Sequence, residues 1–300
     1  MRHQRFMGLL FVMASSALYG ISPLVVTSLV ECGVHYSSVM FFKGGIAAIE
    51  LLALACASRQ RLRLSRDESV SLALAGLLHA ATSFFLYGSY ERLATGLATA
   101  LHFTYPLFVA LFCFLLFRDR INLRGMVGVC MATAGTAFFI WNSAASQTSM
   151  TGLLMAVASA IVYALYLIVM KKFPAANVSS TVFALYEMAC SAMFSCISSA
   201  LMGRLHVQLT AKGWLLAVLG ATMLAACVIL IKAGMNRISA QEASILCVLE
   251  PIVSLVAGAL ILHEIISVKA AVQDQIGIDH RRGVGHLFSR ASHSKKSLKR

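Results

Sequence analysis

Residues 237–264 read RISAQEASILCVLEPIVSLVAGALILHE. The stretch holds an apolar run long enough to cross a bilayer, with Glu250 and Pro251 in its middle and the acid Glu264 at its end. Moving 145 positions toward the amino terminus reaches residues 92–119, RLATGLATALHFTYPLFVALFCFLLFRD. Arg92 then meets Arg237, Ala98 meets Ala243, Leu101 meets Leu246, Pro106 meets Pro251 and Asp119 meets Glu264. One unit has been copied.

The composition says in what solvent that unit folds. Of 300 residues, 59% are hydrophobic and 12% charged, with mean hydropathy +0.80; soluble domains carry about 25% charged residues. A helix needs roughly 20 mainly apolar residues to cross a hydrocarbon core about 30 Å thick, and several runs reach that length. Backbone groups in lipid must bond within their own segment, so consecutive long runs are helices rather than barrel strands. The sequence therefore predicts an all-α polytopic membrane protein.

The net charge of +13 does not point to nucleic acid, because the basic residues sit in short loops and in the last twenty residues rather than along a helix face. Eight cysteines are scattered singly, without Cys-x-x-Cys spacing, and read as small core hydrophobes. Arg2 and Arg5 precede an apolar run, but it continues uncharged to Val30, too long for a signal-peptide core.

Taken in order, the predicted spans are 6–30, containing Pro23; 37–57, containing Lys43 and Glu50; 70–90, with His79; 93–117, with His102 and Pro106; and 125–141. An uncharged loop, 142–151, separates the halves. The pattern restarts at 152–170 and continues through 181–202, with Glu187, then 214–235, with Lys232, and 237–264. GLLFVMASSALYGISPLVV from Gly8 and GLLMAVASAIVYALYLIVM from Gly152 share seven of nineteen residues at an offset of 144. Small residues four apart, such as Ala156, Ala160 and Ala164, fit close helix packing.

Loop charge sets the orientation. With a cytoplasmic amino terminus, the inside segments hold twelve basic residues: Arg2, Arg5, Arg59, Arg61, Arg63, Arg66, Arg118, Arg120, Arg124, Lys171, Lys172 and Arg237. The outside loops before residue 237 hold three: Arg92, Arg204 and Lys212. Five helices per half is an odd number, so the second half lies inverted relative to the first, an arrangement typical of secondary transporters.

At this point the sequence resembles a known family. The doubled five-helix unit, the proline-bearing fourth helix ending in an acid, and the form SILCVLEPIVSLVAGALILHEIIS are similar to the EamA-type branch of the drug/metabolite transporter superfamily, over residues 6 to 272. The sharpest part is 243–264, where the Glu-Pro pair is Glu250 and Pro251 and the acid beyond it is Glu264; the first-repeat matches are Tyr105, Pro106 and Asp119. The resemblance implies a ten-helix carrier of small metabolites, often an exporter, energised by a gradient or by exchange. No P-loop is present.

The resemblance stops near Val272. A tenth helix should map to 270–286, which reads AAVQDQIGIDHRRGVGH; at about 2.5 to 3.5 kcal/mol for each central acid or arginine it cannot insert as an ordinary span. Two accounts stay open. A truncation or frameshift near codon 272 would explain the abruptness. A nine-helix variant would place Arg281, Arg282, Arg290, Lys295, Lys296, Lys299 and Arg300 outside, against the positive-inside bias, which favours the first account. The expected organisation is thus two inverted five-helix repeats with the tenth helix missing or replaced: 1–141, a loop at 142–151, 152–272, and a basic tail at 273–300.

Ionisable groups within spans default to functional hypotheses. Glu250, before a proline that frees a helix carbonyl, is a candidate for binding solute or a coupling proton, against a hydrogen-bonded packing acid. Lys43 aligns with Glu187 at the 144 offset, and opposite charges at related positions near one cavity suit a zwitterionic solute. The bland alternative is a lysine that snorkels to the interface or pairs structurally. His102, Tyr19 and Tyr163 are further solute candidates, with packing as their alternative; His79 reads equally as a helix-bridging histidine. Pro106 and Pro251 are helix breaks. Lys232 reads as an interface anchor, Glu50 as the partner of a loop arginine, and Asp119 and Glu264 as ties at helix ends.

No metal-spaced ligand set, catalytic triad or cofactor motif is found, so the expected class is a transporter rather than an enzyme, with a small-molecule solute and the lipid bilayer as partners. Homodimer formation is left open. The expected location is a bacterial cytoplasmic (inner) membrane, multi-pass. The competing reading is a non-transporting receptor or assembly subunit, or an inactive truncated transporter.

Overall fold

In the computed structural model the described residues are 2–93, 95–119, 127–128, 131, 149–205, 208–247, 249–250 and 253. They form α1 (Arg2–Glu31), α2 (Tyr36–Ala57), α3 (Arg66–Tyr90), α4 (Thr95–His102), α5 (Tyr105–Phe117), α6 (Met150–Lys172), α7 (Ser180–Leu201), α8 (Ala211–Met235) and α9 (Ala240–Leu246), with a 3-10 turn at Pro174–Asn177. Among the described residues there is no strand, and six helices are long and apolar enough to cross a membrane. The protein is an all-α, multi-pass membrane protein.

The starts of the helices are written in the sequence. Ser65 accepts from the Glu68 amide while Glu68 accepts from the Ser65 amide, a capping box that begins α3 four residues before its apolar run. The same box, Ser239 with Glu242, opens α9, and Ser149, Ser179 and Thr210 cap α6, α7 and α8. Such caps are each worth about 0.5–2 kcal/mol. At the far end of α5 the chain turns left-handed at Arg118, whose amide bonds Phe114.

One expectation needs correcting. The span read as continuous from 93 to 117 is two helices, α4 and α5, separated at Phe103 and Thr104. Pro106 lies in the first turn of α5, where its missing N–H would otherwise have continued the ladder. The span read as 237–264 behaves alike: α9 stops at Leu246, Cys247 caps it, and the Glu250 amide makes a short turn back to the Cys247 carbonyl at 3.0 Å. The two interruptions fall 144 residues apart, α4 ending at His102 and α9 at Leu246. Pro251, Glu264, the tail 273–300 and nearly all of the predicted spans 125–141 and 270–286 lie outside the described residues.

Packing follows a two-fold pattern. α1 packs on α8 as α3 packs on α6; α2 packs on α8 as α3 packs on α7; α1 packs on α9 as α4 packs on α6; and α2 crosses α7. One end of the bundle gathers the end of α1, the start of α2 and the end of α7, where Ser38 Oγ donates to the Arg204 carbonyl at 3.0 Å and the Cys32 side chain lies beside Gly213 at the start of α8. The start of α6 is there too, since Gly152 abuts Leu93. At the opposite end Arg5 donates to Glu242 at 2.5 Å and Tyr186 to the Leu62 carbonyl at 2.9 Å. α6 therefore starts where α1 finishes, so the second copy runs inverted.

Close crossings rest on small residues. Ala156, Ala160 and Ala164 are fully buried on α6. On α3, a Cβ at Gly76 would clash with Cys190 and come within 3.2 Å of the Glu187 carbonyl. Substituting Gly76→Val should force α3 and α7 apart, lowering stability by about 1–3 kcal/mol as overpacking does. Thermal unfolding of the purified protein in detergent measures this, and an unchanged midpoint would contradict the crossing described here.

Candidate functional site

The interrupted helices meet a ladder of rings. Tyr166 on α6 stacks on His79 of α3, with centroids 5.1 Å apart, and on Tyr163 one turn away at 5.6 Å. Tyr163 meets Tyr105 edge-on at 4.7 Å and His102 at 5.3 Å. The interruption at Phe103 and Thr104 is what turns both His102 and Tyr105 toward α6. Edge-to-face and offset rings at these separations attract through their quadrupoles.

The second interruption faces the first. Tyr105 and Glu250 are related by the 145-residue offset, as are His102 and Cys247. The Cys247 thiol lies among Ser16, Tyr105 and Glu250. Buried polar atoms without hydrogen-bond partners among the described residues include the Tyr105 hydroxyl and Glu250 Oε1. Native proteins leave few such groups, and a solute bearing polar atoms would satisfy them. α1 closes this side: a Cβ at Gly20 would stand 2.6 Å from the Glu250 carbonyl, so only glycine permits the approach.

The related positions Lys43 and Glu187 are both buried, at 2% and 0% exposure, and they do not pair. Lys43 donates to Ser22 at 2.9 Å, so it does not snorkel. Glu187 contacts His79 through Oε1 and Nδ1. The partners themselves follow the repeat: Ser22 corresponds to Tyr166, and Tyr19 to Tyr163, at the 144 offset. Tyr19 is half-buried against the core and lies within electrostatic reach of Tyr163, Tyr166 and Glu187. Cys227 on α8 lies within reach of both Lys43 and Glu250. The two half-sites thus converge on one polar centre from opposite repeats.

Other expectations change. Lys232 is no interface anchor: it is fully buried, donates to the carbonyls of Met170 and Ala176 and to Asn236 Oδ1, and lies 5.2 Å from the Phe183 ring centre. It ties the end of α8 to the turn after α6. Among the described residues Glu50 pairs with no loop arginine; it accepts from Thr222 on α8 at 2.9 Å. His102 bonds Ser159 at 3.0 Å, and Ser159 donates on to the Ala156 carbonyl. Asp119 meets Lys172 at 2.7 Å, closing a helix end. Tyr105, Ser22 and Cys247 were not singled out as site residues from the sequence, though two of them, Tyr105 and Cys247, stand opposite the nominated Glu250 and His102 in the repeat alignment.

A cavity of about 260 Å³ opens at the end where α1 and α7 finish. Phe84, Tyr87 and Phe194 give it ring walls, Ser37, Ser83 and Ser195 give it hydroxyls, and Met40 and Ala80 also line it. Across its mouth Arg204 donates to Glu91 at 2.9 Å, and His35 Nε2 stands 3.1 Å from the same carboxylate. His35 Nδ1 accepts from the Ser37 amide to cap α2, and Arg204 Nη1, which can only donate, lies 2.8 Å from Nε2.

The sequence profile of the EamA-like transporter family matches residues 6–141 and 150–273. A solved crystal structure, described only as that of a protein, superposes with a TM-score of 0.74 at 20% identity, over 90% of this chain and 95% of the other. At that identity the likeness concerns the fold alone. No curated protein matches the chain in sequence.

The two buried lysines should part company on substitution. Lys232→Met leaves three acceptors without their donor and should lower stability by about 1–3 kcal/mol. Lys43→Met gives up one hydrogen bond while removing a buried amine, and should stay within about 1 kcal/mol of the parent. Paired thermal melts in detergent would decide, and equal losses would place both lysines in the structural class.

Proposed function

The chain belongs to the EamA-like transporter family and is a multi-pass membrane transporter; from that premise we propose that it is a secondary carrier of small, amino-acid-like metabolites working by alternating access, as an exporter. The observation that carries this reading is the pair of interrupted helices. Discontinuous helices with polar groups at the repeat interface are where secondary transporters bind solute, and here they bring Tyr105 and Glu250, each with a buried polar atom that lacks a hydrogen-bond partner among the described residues, together around Cys247. In the proposed site Glu250 takes a solute ammonium, Lys43 a solute carboxylate, and Tyr19, Tyr163 and His102 flank the rest. Glu187 sets the charge of the opposite half-site. Interactions of this kind gain strength in a water-excluded interior, so the solute's own charges replace water at modest loss.

Access supports the same reading. The cavity under Arg204 and Glu91 serves, in this proposal, as the vestibule on the non-cytoplasmic side, and the Arg5–Glu242 contact closes the other. The orientation follows from loop charge, with the amino terminus in the cytoplasm and the protein in a bacterial inner membrane. We further propose the division 1–141, 142–151, 152–272, with 273–300 replacing a tenth helix; the family match ends at 273. Catalysis has no part in this reading, and a homodimer is compatible with it.

Reconstituted vesicles preloaded with a mixture of the standard amino acids should exchange them for labelled external ones with saturation. Glu250→Gln and Lys43→Met should each cut that exchange by about tenfold or more, which corresponds to about 1.4 kcal/mol of binding. Exchange at the parental rate in both variants would remove the site. For orientation, a compartment-specific reporter placed after Gln60 should read cytoplasmic and one after Gly203 should read external; the reverse result would invert the topology.

A further inference from the structure

A second cleft, of about 350 Å³, lies at the end of the bundle opposite the cavity under Arg204. Arg61 and Arg63, from the loop between α2 and α3, line it together with Asn177 and Ser179, from the turn between α6 and α7. The two segments are tied to each other: Ser179 Oγ donates to Gln60 Oε1 at 2.5 Å, and Tyr186 to the Leu62 carbonyl at 2.9 Å. The cleft therefore joins the first repeat to the second.

Its charge is uncommitted. The loop carries Arg59, Arg61, Arg63 and Arg66, all exposed, and among the described residues none of the four guanidiniums donates a hydrogen bond or stands within ion-pair distance of a carboxylate. Other basic side chains at this end are held: Arg5 by Glu242, Lys171 by the Met235 carbonyl, Lys172 by Asp119 and Arg237 by Gln4. The acids beside the loop are only two, Asp67 and Glu68 in the first turn of α3. Glu68 also lines the cleft, within electrostatic reach of Arg61, but its Oε2 already accepts from the Ser65 amide at 2.7 Å. Positive charge is in excess and its donors are available, which suits an anion with several oxygens, since guanidinium forks take phosphate oxygens in pairs.

The surface beside the cleft says where such an anion is held. From Arg66 onward α3 is long and apolar enough to cross the membrane, and Val70, Leu74 and Leu77 stand exposed at helical spacing along one face of it. A soluble phosphate would gain nothing from that stripe. A phospholipid sets its phosphate at the level of the helix ends and its chains along apolar flanks, and basic pockets between spans on the cytoplasmic side hold anionic headgroups. We propose that the cleft binds an anionic phospholipid, with its phosphate on Arg61 and Arg63, its headgroup toward Asn177 and its chains along Val70, Leu74 and Leu77. Placing this lipid in the cytoplasmic leaflet rests on the orientation proposed above; the binding itself does not. Because both repeats contribute to the cleft, a bound lipid favours the arrangement in which the loop and the turn lie together.

The test uses the purified full chain in detergent, with two lipids of identical oleoyl chains as probes, anionic phosphatidylglycerol and zwitterionic phosphatidylcholine. Native mass spectrometry reads their affinities. Phosphatidylglycerol should bind about tenfold more tightly. Replacing Arg61→Gln and Arg63→Gln together should bring the two lipids to equal affinity, whereas Lys212→Gln, exposed at the start of α8, should leave the preference intact. Equal affinities in the parent overturn the proposal, and so does a preference that survives the paired substitution or that falls as far in Lys212→Gln. Displacement of the lipid by glycerol 1-phosphate at the same concentration would make this a site for soluble anions and also overturn it. Both arginines are exposed, so the paired variant should melt within about 2 °C of the parent without added lipid. The pair Arg61→Lys and Arg63→Lys, which keeps the charge, should retain most of the preference; its complete loss there would point to a damaged loop and sink the assignment. Failure of the orientation looks different, because the reporter after Gln60 would read external while these affinities stayed as stated.

Discussion

A helix in hydrocarbon must satisfy its own backbone, and this fold depends on the two places where it stops doing so. The span holding Pro106 breaks at Phe103 and Thr104, and the span related to it by the internal repeat breaks at Cys247. Unpaired backbone in lipid is costly, so such breaks persist only where protein surrounds them or a cavity accepts them. The surrounding protein here is α1 and α6. Their small residues let them come close, Gly20 against the Glu250 carbonyl and the alanine face of α6 against α3 and the two broken halves. A single proline-bearing unit, copied and inverted, therefore produces both the breaks and the surfaces that shelter them.

Buried polar groups are then distributed unevenly. Lys232 has three acceptors and a ring, the pattern of a group whose burial is fully compensated. Lys43 has Ser22, Glu187 has His79 on one oxygen, and Glu250 keeps an oxygen without a partner among the described residues. Since an unsatisfied buried polar group typically loses about 1–3 kcal/mol, these positions weaken the fold where they stand. Stability that is given up locally is the ordinary mark of a site that must bind something or move. The two ends of the bundle differ in the same spirit, with charge pairs such as Arg204 with Glu91 and Arg5 with Glu242 closing surfaces that the centre leaves polar.

The aromatic ladder links these features mechanically. Tyr163 touches the first break through Tyr105 and His102, and through Tyr166 it reaches His79 and Glu187. The breaks and the His79–Glu187 contact thus bear on the same helix, α6, which starts the second repeat.

The sequence by itself determined the class of solvent, the all-α spans, the duplication and its inversion. Each of these depends on local hydropathy, on loop charge or on an offset that needs no contact map, which is why 237–264 and its copy at 92–119 were enough. It also nominated Glu250, Lys43 and Glu187, because an ionisable group inside an apolar run is conspicuous wherever its partner lies. Only the tertiary structure decided the partners. Lys43 and Glu187, matched by the repeat, turn to Ser22 and to His79 instead of to each other; Lys232 is buried rather than anchored at an interface; and Glu50 bonds Thr222 rather than a loop arginine. The physical reason is that hydropathy depends on one residue and its neighbours along the chain, whereas the satisfaction of a buried charge depends on atoms that packing brings from other helices, 21 residues away for Lys43 and Ser22 and 172 for Glu50 and Thr222.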